Sequence, residues 1–265
     1  MLRIFIFFSL VICLGSCTSK FARIQKSNDF EYKYKMAEEY YKEKKYTFAQ
    51  QLFESLTPYV RGTAKYEELF YMLAYSYYYQ EDYVNAENLF KTFTETFPAS
   101  NRTEECDYMR AYTYYKQSPK VDLDQANTTK AAGLFQAFIS THPSSARVKE
   151  ATDLIDACRE KLELKDYKAA ELYYSLGYYK GAAVSFGTLL ENYPDSKHGE
   201  EYKLTAIKAY YKYAELSYEE KQKERFEKVV SECADFKERY PDSKLLSSIN
   251  EYKSQANNFL KSIKK

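Results

Sequence analysis

The sequence has 265 residues, with 39 Lys and Arg against 38 Asp and Glu, so its formal net charge at pH 7 is +1. This balance, without a basic cluster interleaved with aromatic residues, argues against a nucleic-acid-binding protein. Charged residues make up 29% of the chain and the mean hydropathy is −0.64, which excludes membrane spans after the N-terminal segment. Seven Gly, six Pro and no strand-like alternation predict an all-α protein.

The N-terminal segment has the features of a bacterial lipoprotein signal peptide. Arg3 precedes an apolar run over residues 4–14 that is too short to span a bilayer. We predict a signal peptide over residues 1–16 and a mature chain anchored by a diacylglyceryl and N-acyl lipid on Cys17. In the alternative interpretation, Cys17 is an ordinary cysteine just after a cleavage site. The lipid prediction depends on the resemblance of one tetrapeptide to the lipobox: Leu14, Gly15, Ser16 and Cys17.

A helical pattern between residues 31 and 41 recurs twice, each time 37 residues further along the chain. Its internal spacings of three, four and seven place the recurring residues on one helix face. A period of this length built from helices predicts stacked helical hairpins, an architecture that binds partners. The recurring residues are Glu31, Glu68 and Glu105; Tyr34, Tyr71 and Tyr108; Ala37, Ala74 and Ala111; Tyr40, Tyr77 and Tyr114; and Tyr41, Tyr78 and Tyr115.

The residues after each first helix follow the tetratricopeptide pattern. An alanine lets the two helices approach closely, an aromatic residue fills the space between hairpins, and a proline ends the second helix. We predict a right-handed superhelical array of about five such hairpins, followed by a capping helix over residues 245–263. The second unit fits the pattern closely, with Tyr83, Ala86, Phe90, Phe93 and Pro98.

Two units depart from this pattern. The third contains eight extra residues within 117–125, a polar loop of the kind that often carries binding in repeat arrays. In the fifth, Val229 and Cys233 replace the small and aromatic residues. Four second helices share an ending in which a serine follows the proline by two residues, and we expect its hydroxyl to cap the next helix. These serines are Ser100, Ser145, Ser196 and Ser243.

The sequence contains no pattern that predicts catalysis or metal binding. Cys106, Cys158 and Cys233 are far apart, and we expect them to be small buried hydrophobic residues. His142 and His198 lie at helix ends and are expected on the surface. Nucleophile elbows, phosphate loops and metal-binding motifs are missing. We therefore expect a non-enzymatic protein that needs no metal and no cofactor beyond its lipid.

The lipobox, the five repeats, the insertion in the third repeat and the chain length together resemble the BamD family. These are lipoprotein subunits of the machinery that assembles outer-membrane β-barrel proteins. Residues 182–191 lack the arginine that family members place near their barrel partner, so that contact is not transferred to this chain. The segments that carry the resemblance are Tyr108-Met109-Arg110-Ala111, Asp122-Leu123-Asp124-Gln125-Ala126, Phe135-Gln136-Ala137-Phe138-Ile139 and Ala170-Glu171-Leu172-Tyr173-Tyr174.

This resemblance implies a scaffold lipoprotein on the outer membrane that faces the periplasm. The C-terminal repeats would dock the polypeptide-transport-associated (POTRA) domains of a BamA-type barrel protein. The N-terminal repeats would receive the C-terminal signals of unfolded outer-membrane β-barrel proteins. The implied division is a signal peptide over 1–16, a tether over 17–28, a client-binding half over 29–100 and a docking half over 101–265.

Other lipoprotein classes also fit parts of the sequence. A pilotin-like tetratricopeptide lipoprotein, which targets a secretin to the outer membrane, would be expected to lack the insertion and the fifth unit. Another adaptor lipoprotein of this repeat type is a further alternative. A lipoprotein that captures oligosaccharides on aromatic platforms commonly uses Trp, and this chain has none.

The first helices of the three N-terminal units carry a row of tyrosines edged by carboxylates. Their positions tend to face the inner side of this repeat type, where rigid amphipathic rings suit a succession of extended clients. In the alternative interpretation the rings only pack neighbouring helices. We call these residues the tyrosine row: Tyr34, Tyr41, Tyr71, Tyr75, Tyr78, Tyr108, Tyr112 and Tyr115.

Overall fold

The computed structural model describes residues 20–263, and every regular element in this range is an α-helix, as predicted. No helix of this range is both long and apolar enough to cross a bilayer. Residues 20–25 are helical and are called α1. The later helices are α2 (Phe30–Lys42), α3 (Tyr46–Val60), α4 (Lys65–Tyr79), α5 (Tyr83–Thr96), α6 (Thr103–Lys116), α7 (Ala126–Thr141), α8 (Val148–Ser175), α9 (Tyr179–Asn192), α10 (Gly199–Glu215), α11 (Glu219–Arg239) and α12 (Leu246–Ser262).

Consecutive helices pack on one another, which confirms the helical repeat array. The chain forms two compact units, the first ending at Cys158 and the second beginning at Arg159. In the first unit each helix from α2 to α6 packs on the next, so that the series ends at α7. In the second, α9, α10, α11 and α12 pack in the same consecutive manner, and α12 also contacts α10. The final helix therefore covers the last hairpin, as expected of a cap.

The repeated small and aromatic residues form the core at equivalent places in successive hairpins. The alanines of facing helices are fully buried, which allows close approach of the two backbones. In the degenerate fifth hairpin, Val229 and Cys233 are fully buried in place of the usual residues. The fully buried alanines and phenylalanines of the first three hairpins are Ala37, Ala74, Ala111, Ala49, Ala86, Ala131, Phe53, Phe90, Phe93 and Phe135.

Three hairpins turn through a residue with left-handed backbone conformation at the same repeat position. Lys44 has a φ of 59°, Glu81 a φ of 62° and Gly177 a φ of 78°. Only the glycine adopts this conformation without a steric penalty from Cβ. The third hairpin uses the inserted loop instead, and this loop is organised around the buried Gln125. The Gln125 side-chain amide donates to the carbonyl oxygens of Lys120, at 2.8 Å, and Leu123, at 3.1 Å.

The segment expected to be the tether includes a helix that packs on the first hairpin. In α1, Phe21 and Ile24 are buried. The Phe21 ring stacks on Phe48, with 4.5 Å between centroids, and meets the Tyr40 ring edge-on at 6.0 Å. Through Phe21 and Ile24, α1 contributes to the hydrophobic core of the first unit.

The cysteines and histidines show one departure from expectation. All three cysteines of the body are buried, as predicted, and burial raises the pKa of Cys233 to about 11. His198 is on the surface, with 47% of its side chain exposed. The prediction for His142 was wrong, because only 19% of its side chain is exposed and its Nε2 lies 3.0 Å from the Asp107 carboxylate.

Candidate functional site

The lipid-attachment site predicted at Cys17 lies outside the described residues, with its lipobox residues Leu14, Gly15 and Ser16. The first described residue, Lys20, follows it by three positions. The tyrosine row lies entirely within the described first unit.

The tyrosine row is partly core and partly surface. Tyr34, Tyr75 and Tyr108 are only 8%, 7% and 1% exposed and belong to the hydrophobic core of the first unit. The other five rings are half-buried and pack against that core, so one edge of each remains at the surface. The packing interpretation therefore holds for the three buried rings, and client binding stays a prediction for the half-buried rings. The half-buried members are Tyr41, Tyr71, Tyr78, Tyr112 and Tyr115.

The half-buried rings form a continuous strip between neighbouring hairpins. Tyr78 on α4 lies 6.4 Å from Tyr112 on α6, centroid to centroid, and Tyr112 stacks with Tyr115 at 5.9 Å. Both distances are within the range of favourable aromatic pairs.

The rings of Tyr46 and Tyr79 stack at 4.5 Å and extend the strip. Neither residue was predicted to belong to the site. A signal was present for Tyr46, which recurs 37 residues later as Tyr83, but not for Tyr79, since Lys42 and Lys116 stand at the equivalent positions.

Carboxylates bind the tyrosine hydroxyls from the next hairpin. Tyr71 donates to Glu105 at 2.9 Å, and Tyr75 donates to the other oxygen of the same carboxylate at 2.6 Å. The pKa of both tyrosines is raised well above the ordinary value. Burial is the largest cause, and the hydrogen bonds to Glu105 are the second. Burial likewise raises the pKa of Tyr34 and Tyr78 to about 12. These four hydroxyl groups are therefore neutral at physiological pH.

A cation lies over the equivalent tyrosine in each of the three hairpins of the first unit. Arg102 lies 4.4 Å from the Tyr71 ring centre and pairs with Glu68 at 2.5 Å. Such a cation over a ring is favourable because the face of the ring carries negative electrostatic potential. The equivalent groups are Lys65 over Tyr34 with Glu31, at 5.0 Å from the ring, and Arg147 over Tyr108 with Glu105, at 4.5 Å.

We call these three groups the cation layer. Sequence reasoning assigned no role to Lys65, Arg102 or Arg147. A signal existed: Lys65 and Arg102 are 37 residues apart, and Arg147 follows after the same interval plus the eight inserted residues.

The serines after the prolines connect successive hairpins. Ser100 donates to Glu67 and Ser145 to Glu104, both at 2.6 Å, and each carboxylate lies on the preceding first helix. Each serine hydroxyl also accepts the backbone N–H two residues on, as Arg102 shows at 3.1 Å. The hydroxyl therefore does not bind an N–H within the next helix, as the predicted cap would. It binds the N–H of the residue immediately before that helix. Ser196 and Ser243 make the same two kinds of contact.

The arrangement is suited to binding an extended, part-apolar chain. The half-buried rings supply rigid apolar contact area, and their hydroxyls and the adjacent carboxylates supply polar contacts. Across the described range 20–263, no group of three or more His, Cys, Asp and Glu is arranged to hold a metal ion.

Comparison with known protein families identifies the family of the chain. A family model, YfiO, described as outer membrane lipoprotein, matches residues 26–197, which is more than half of the chain. The match includes the tyrosine row and the cation layer. No curated protein matches the chain. The chain belongs to the YfiO family of outer membrane lipoproteins.

Proposed function

We propose that this protein is a non-enzymatic scaffold of the outer-membrane protein assembly machinery, anchored by lipid on Cys17 and facing the periplasm. It would bind a BamA-type barrel subunit and the C-terminal signals of unfolded β-barrel proteins, and so promote their insertion. The family membership is the observation that carries this proposal. The helical repeat array supports it, because stacked hairpins offer extended surfaces for partners.

The client-binding part of the proposal is supported by the half-buried strip of the tyrosine row. An extended client segment would lie across Tyr78, Tyr112 and Tyr115, whose rings are already held by packing. Binding to fixed rings costs little side-chain entropy, and the broad ring faces tolerate different apolar residues.

The docking part is supported by exposed apolar side chains in the second unit. They are concentrated at two turns, between α8 and α9 and between α10 and α11. Leu176 and Tyr178 are 60% and 63% exposed at the first turn, while Leu216 and Tyr218 are 71% and 89% exposed at the second. Exposed apolar residues of this size are typical of protein–protein contacts. We propose that the POTRA domains dock on the second unit.

The first experiment is extraction of the tagged, lipidated protein in mild detergent, followed by mass spectrometry of the proteins that copurify. We expect a stoichiometric partner with tandem POTRA domains and a C-terminal barrel. A matched variant, Cys17→Ser, should remove the lipid mass and release the protein from the membrane fraction. A secretin as the stoichiometric partner would instead establish the pilotin-like alternative.

Client binding is tested with peptides that carry the C-terminal signal of a β-barrel protein. The triple variant Tyr78→Ser, Tyr112→Ser, Tyr115→Ser should weaken peptide binding, measured by fluorescence anisotropy, while helical circular dichroism is kept. Tyr59 is 61% exposed and is not a member of the row, so Tyr59→Ser is the control that should bind normally. Unchanged binding in the triple variant would show that the row serves packing alone.

A further inference from the structure

The fourth hairpin breaks the cation layer. Its serine contact has the usual form, with Ser196 donating to Glu163, and this contact fixes the equivalence between hairpins. By that equivalence, Tyr167 corresponds to Tyr71 and Tyr108, the tyrosines that lie under Arg102 and Arg147. At the two positions that supply the cation and its carboxylate, however, the chain has His198 and Leu164.

A cavity of about 380 Å³ lies where the cation would be. This volume is within the range of small-ligand sites, roughly 300–1,000 Å³. The cavity, which we call the Tyr167 cavity, is formed by α8 and by the residues that begin α10, all within the second unit. It is lined by Glu160, Glu163, Leu164, Tyr167, Lys197, His198, Glu201 and Tyr202.

Two stacked tyrosines form the apolar wall of the Tyr167 cavity. The rings of Tyr167 and Tyr202 are 5.5 Å apart at an interplanar angle of 29°. Tyr202 donates to Glu163 at 2.8 Å, which fixes the orientation of its ring. Burial raises the pKa of both tyrosines, so their faces remain those of neutral phenols. A wall of this kind attracts a flat cation.

The charged groups of the cavity also favour a cation. Its lining contains three carboxylates and one ammonium group, that of Lys197, which lies 3.3 Å from Glu160. The Glu201 carboxylate lies 3.5 Å from His198 Nδ1, and its side chain is 73% exposed. Glu201 lies five residues after Ser196, as Glu105 lies five residues after Ser100, and Glu105 accepts a hydrogen bond from Tyr71, the counterpart of Tyr167. A carboxylate is therefore in place at the edge of the cavity, next to the tyrosine wall.

We propose that the Tyr167 cavity binds an arginine side chain of a protein partner. This side chain would complete the cation layer in the fourth hairpin, as Lys65, Arg102 and Arg147 of the chain itself do in the first three. The guanidinium plane would stack on the Tyr167 ring and bind the Glu201 carboxylate. Arginine fits better than lysine, because a planar group can stack on a ring and bind a carboxylate at the same time. This site is separate from the tyrosine row and does not depend on client binding there.

The binding test uses the full chain in detergent micelles and the probe acetyl-Gly-Arg-Gly-amide. The matched control probe replaces arginine with citrulline, which has the same shape and no charge. We expect saturation-transfer NMR to show binding at least about tenfold weaker for citrulline. In protein labelled with 13C-histidine, addition of the arginine probe should shift the His198 resonance and leave the His142 resonance unchanged. Equal binding of both probes, or equal shifts of both histidines, would overturn the proposal.

Substitution provides an independent test. His198→Arg should fill the cavity with a cation of the chain itself and reduce binding of the arginine probe by about tenfold or more. His198→Gln at the same position supplies no cation and should bind as the wild type does. Glu201→Gln, at an exposed side chain, should weaken binding without loss of helical circular dichroism. Wild-type binding in both His198→Arg and Glu201→Gln would show that the probe binds elsewhere.

Discussion

At the scale of single residues, the connection between hairpins depends on short polar contacts that repeat along the chain. Each serine after a proline donates to a carboxylate of the preceding hairpin and accepts an N–H from its own turn. One hydroxyl thus satisfies two polar groups at a junction where the backbone leaves a helix. A residue without a side-chain hydroxyl, such as alanine, can make neither contact.

We expect Ser145→Ala to lower the free energy of unfolding by about 1 kcal/mol, because a hydrogen bond to the charged Glu104 and one to a backbone N–H are lost. The matched control is Ser144→Ala, one residue earlier in the same turn, where the side chain is exposed and the expected change is small. Urea unfolding followed by circular dichroism provides the measurement. Equal losses in the two variants would contradict the role assigned to Ser145.

The cation layer allows a second prediction at this scale. Arg102→Gln should destabilise the protein by about 1 kcal/mol, because it removes the cation from the Tyr71 ring and from Glu68. Arg102→Lys should cost less, since Lys65 performs the same role in the first hairpin. Urea unfolding at low and high salt should show a smaller difference between the variants at high salt. A loss that is the same for Gln and Lys would exclude the charge as its cause.

At the scale of the helices, the period of 37 residues and the helical spacings within it predicted the elements. The insertion was also placed correctly, because the eight extra residues fall between α6 and α7. Which tyrosines are buried could not be predicted from spacing. Tyr75 and Tyr78 belong to the same predicted face, yet only Tyr75 is fully in the core. That difference depends on how each helix is rotated against its neighbours, which is set by packing between hairpins.

The turns allow a prediction at the scale of an element. Gly177→Ala should destabilise the protein by about 1 kcal/mol, because alanine is strained at the left-handed φ of 78°. Gly187 is the control: it lies inside α9, where an added methyl group would meet no neighbouring side chain, so Gly187→Ala should stabilise by about 0.5–1 kcal/mol. Thermal unfolding of the two variants tests the predicted loss of stability in Gly177→Ala and the predicted gain in Gly187→Ala. A stable Gly177→Ala variant would show that this turn changes its backbone conformation at little cost.

At the scale of the whole molecule, thirty tyrosines make stability sensitive to alkali. Burial raises the pKa of Tyr34, Tyr78 and Tyr193 from the ordinary 10.0 to about 12. The folded protein therefore holds these protons more tightly than the unfolded chain does. The stabilisation is complete below pH 10 and is lost as the pH rises through about 12.

A pH titration should consequently show tyrosine ionisation and loss of helix together between pH 10 and 12. Ultraviolet absorbance reports the tyrosinate, and circular dichroism reports the helix. Return to neutral pH should restore both signals and serves as the control for irreversible damage. Complete ionisation near pH 10 with the helices intact would contradict the burial of these hydroxyls.

The family and the fold class were accessible from the sequence because repeat period, turn residues and core residues all agree. The contacts between hairpins were less accessible, since they join residues 30 to 43 positions apart whose pairing follows from the stacking. The Tyr167 cavity belongs to this second group. The sequence shows His198 and Leu164, but only the serine contact of Ser196 identifies them as substitutes for a cation and its carboxylate.

The packing of α1 also limits how far the first unit can lie from a lipid anchor on Cys17. Phe21 is fixed in the core of the first unit and follows Cys17 by four residues, which span at most about 14 Å. If Cys17 carries the lipid, this short segment would hold the first hairpin close to the lipid headgroups. Under the proposed function, such a protein would not search the width of the periplasm for clients. Unfolded chains would have to be delivered to the membrane surface before they could meet Tyr78, Tyr112 and Tyr115.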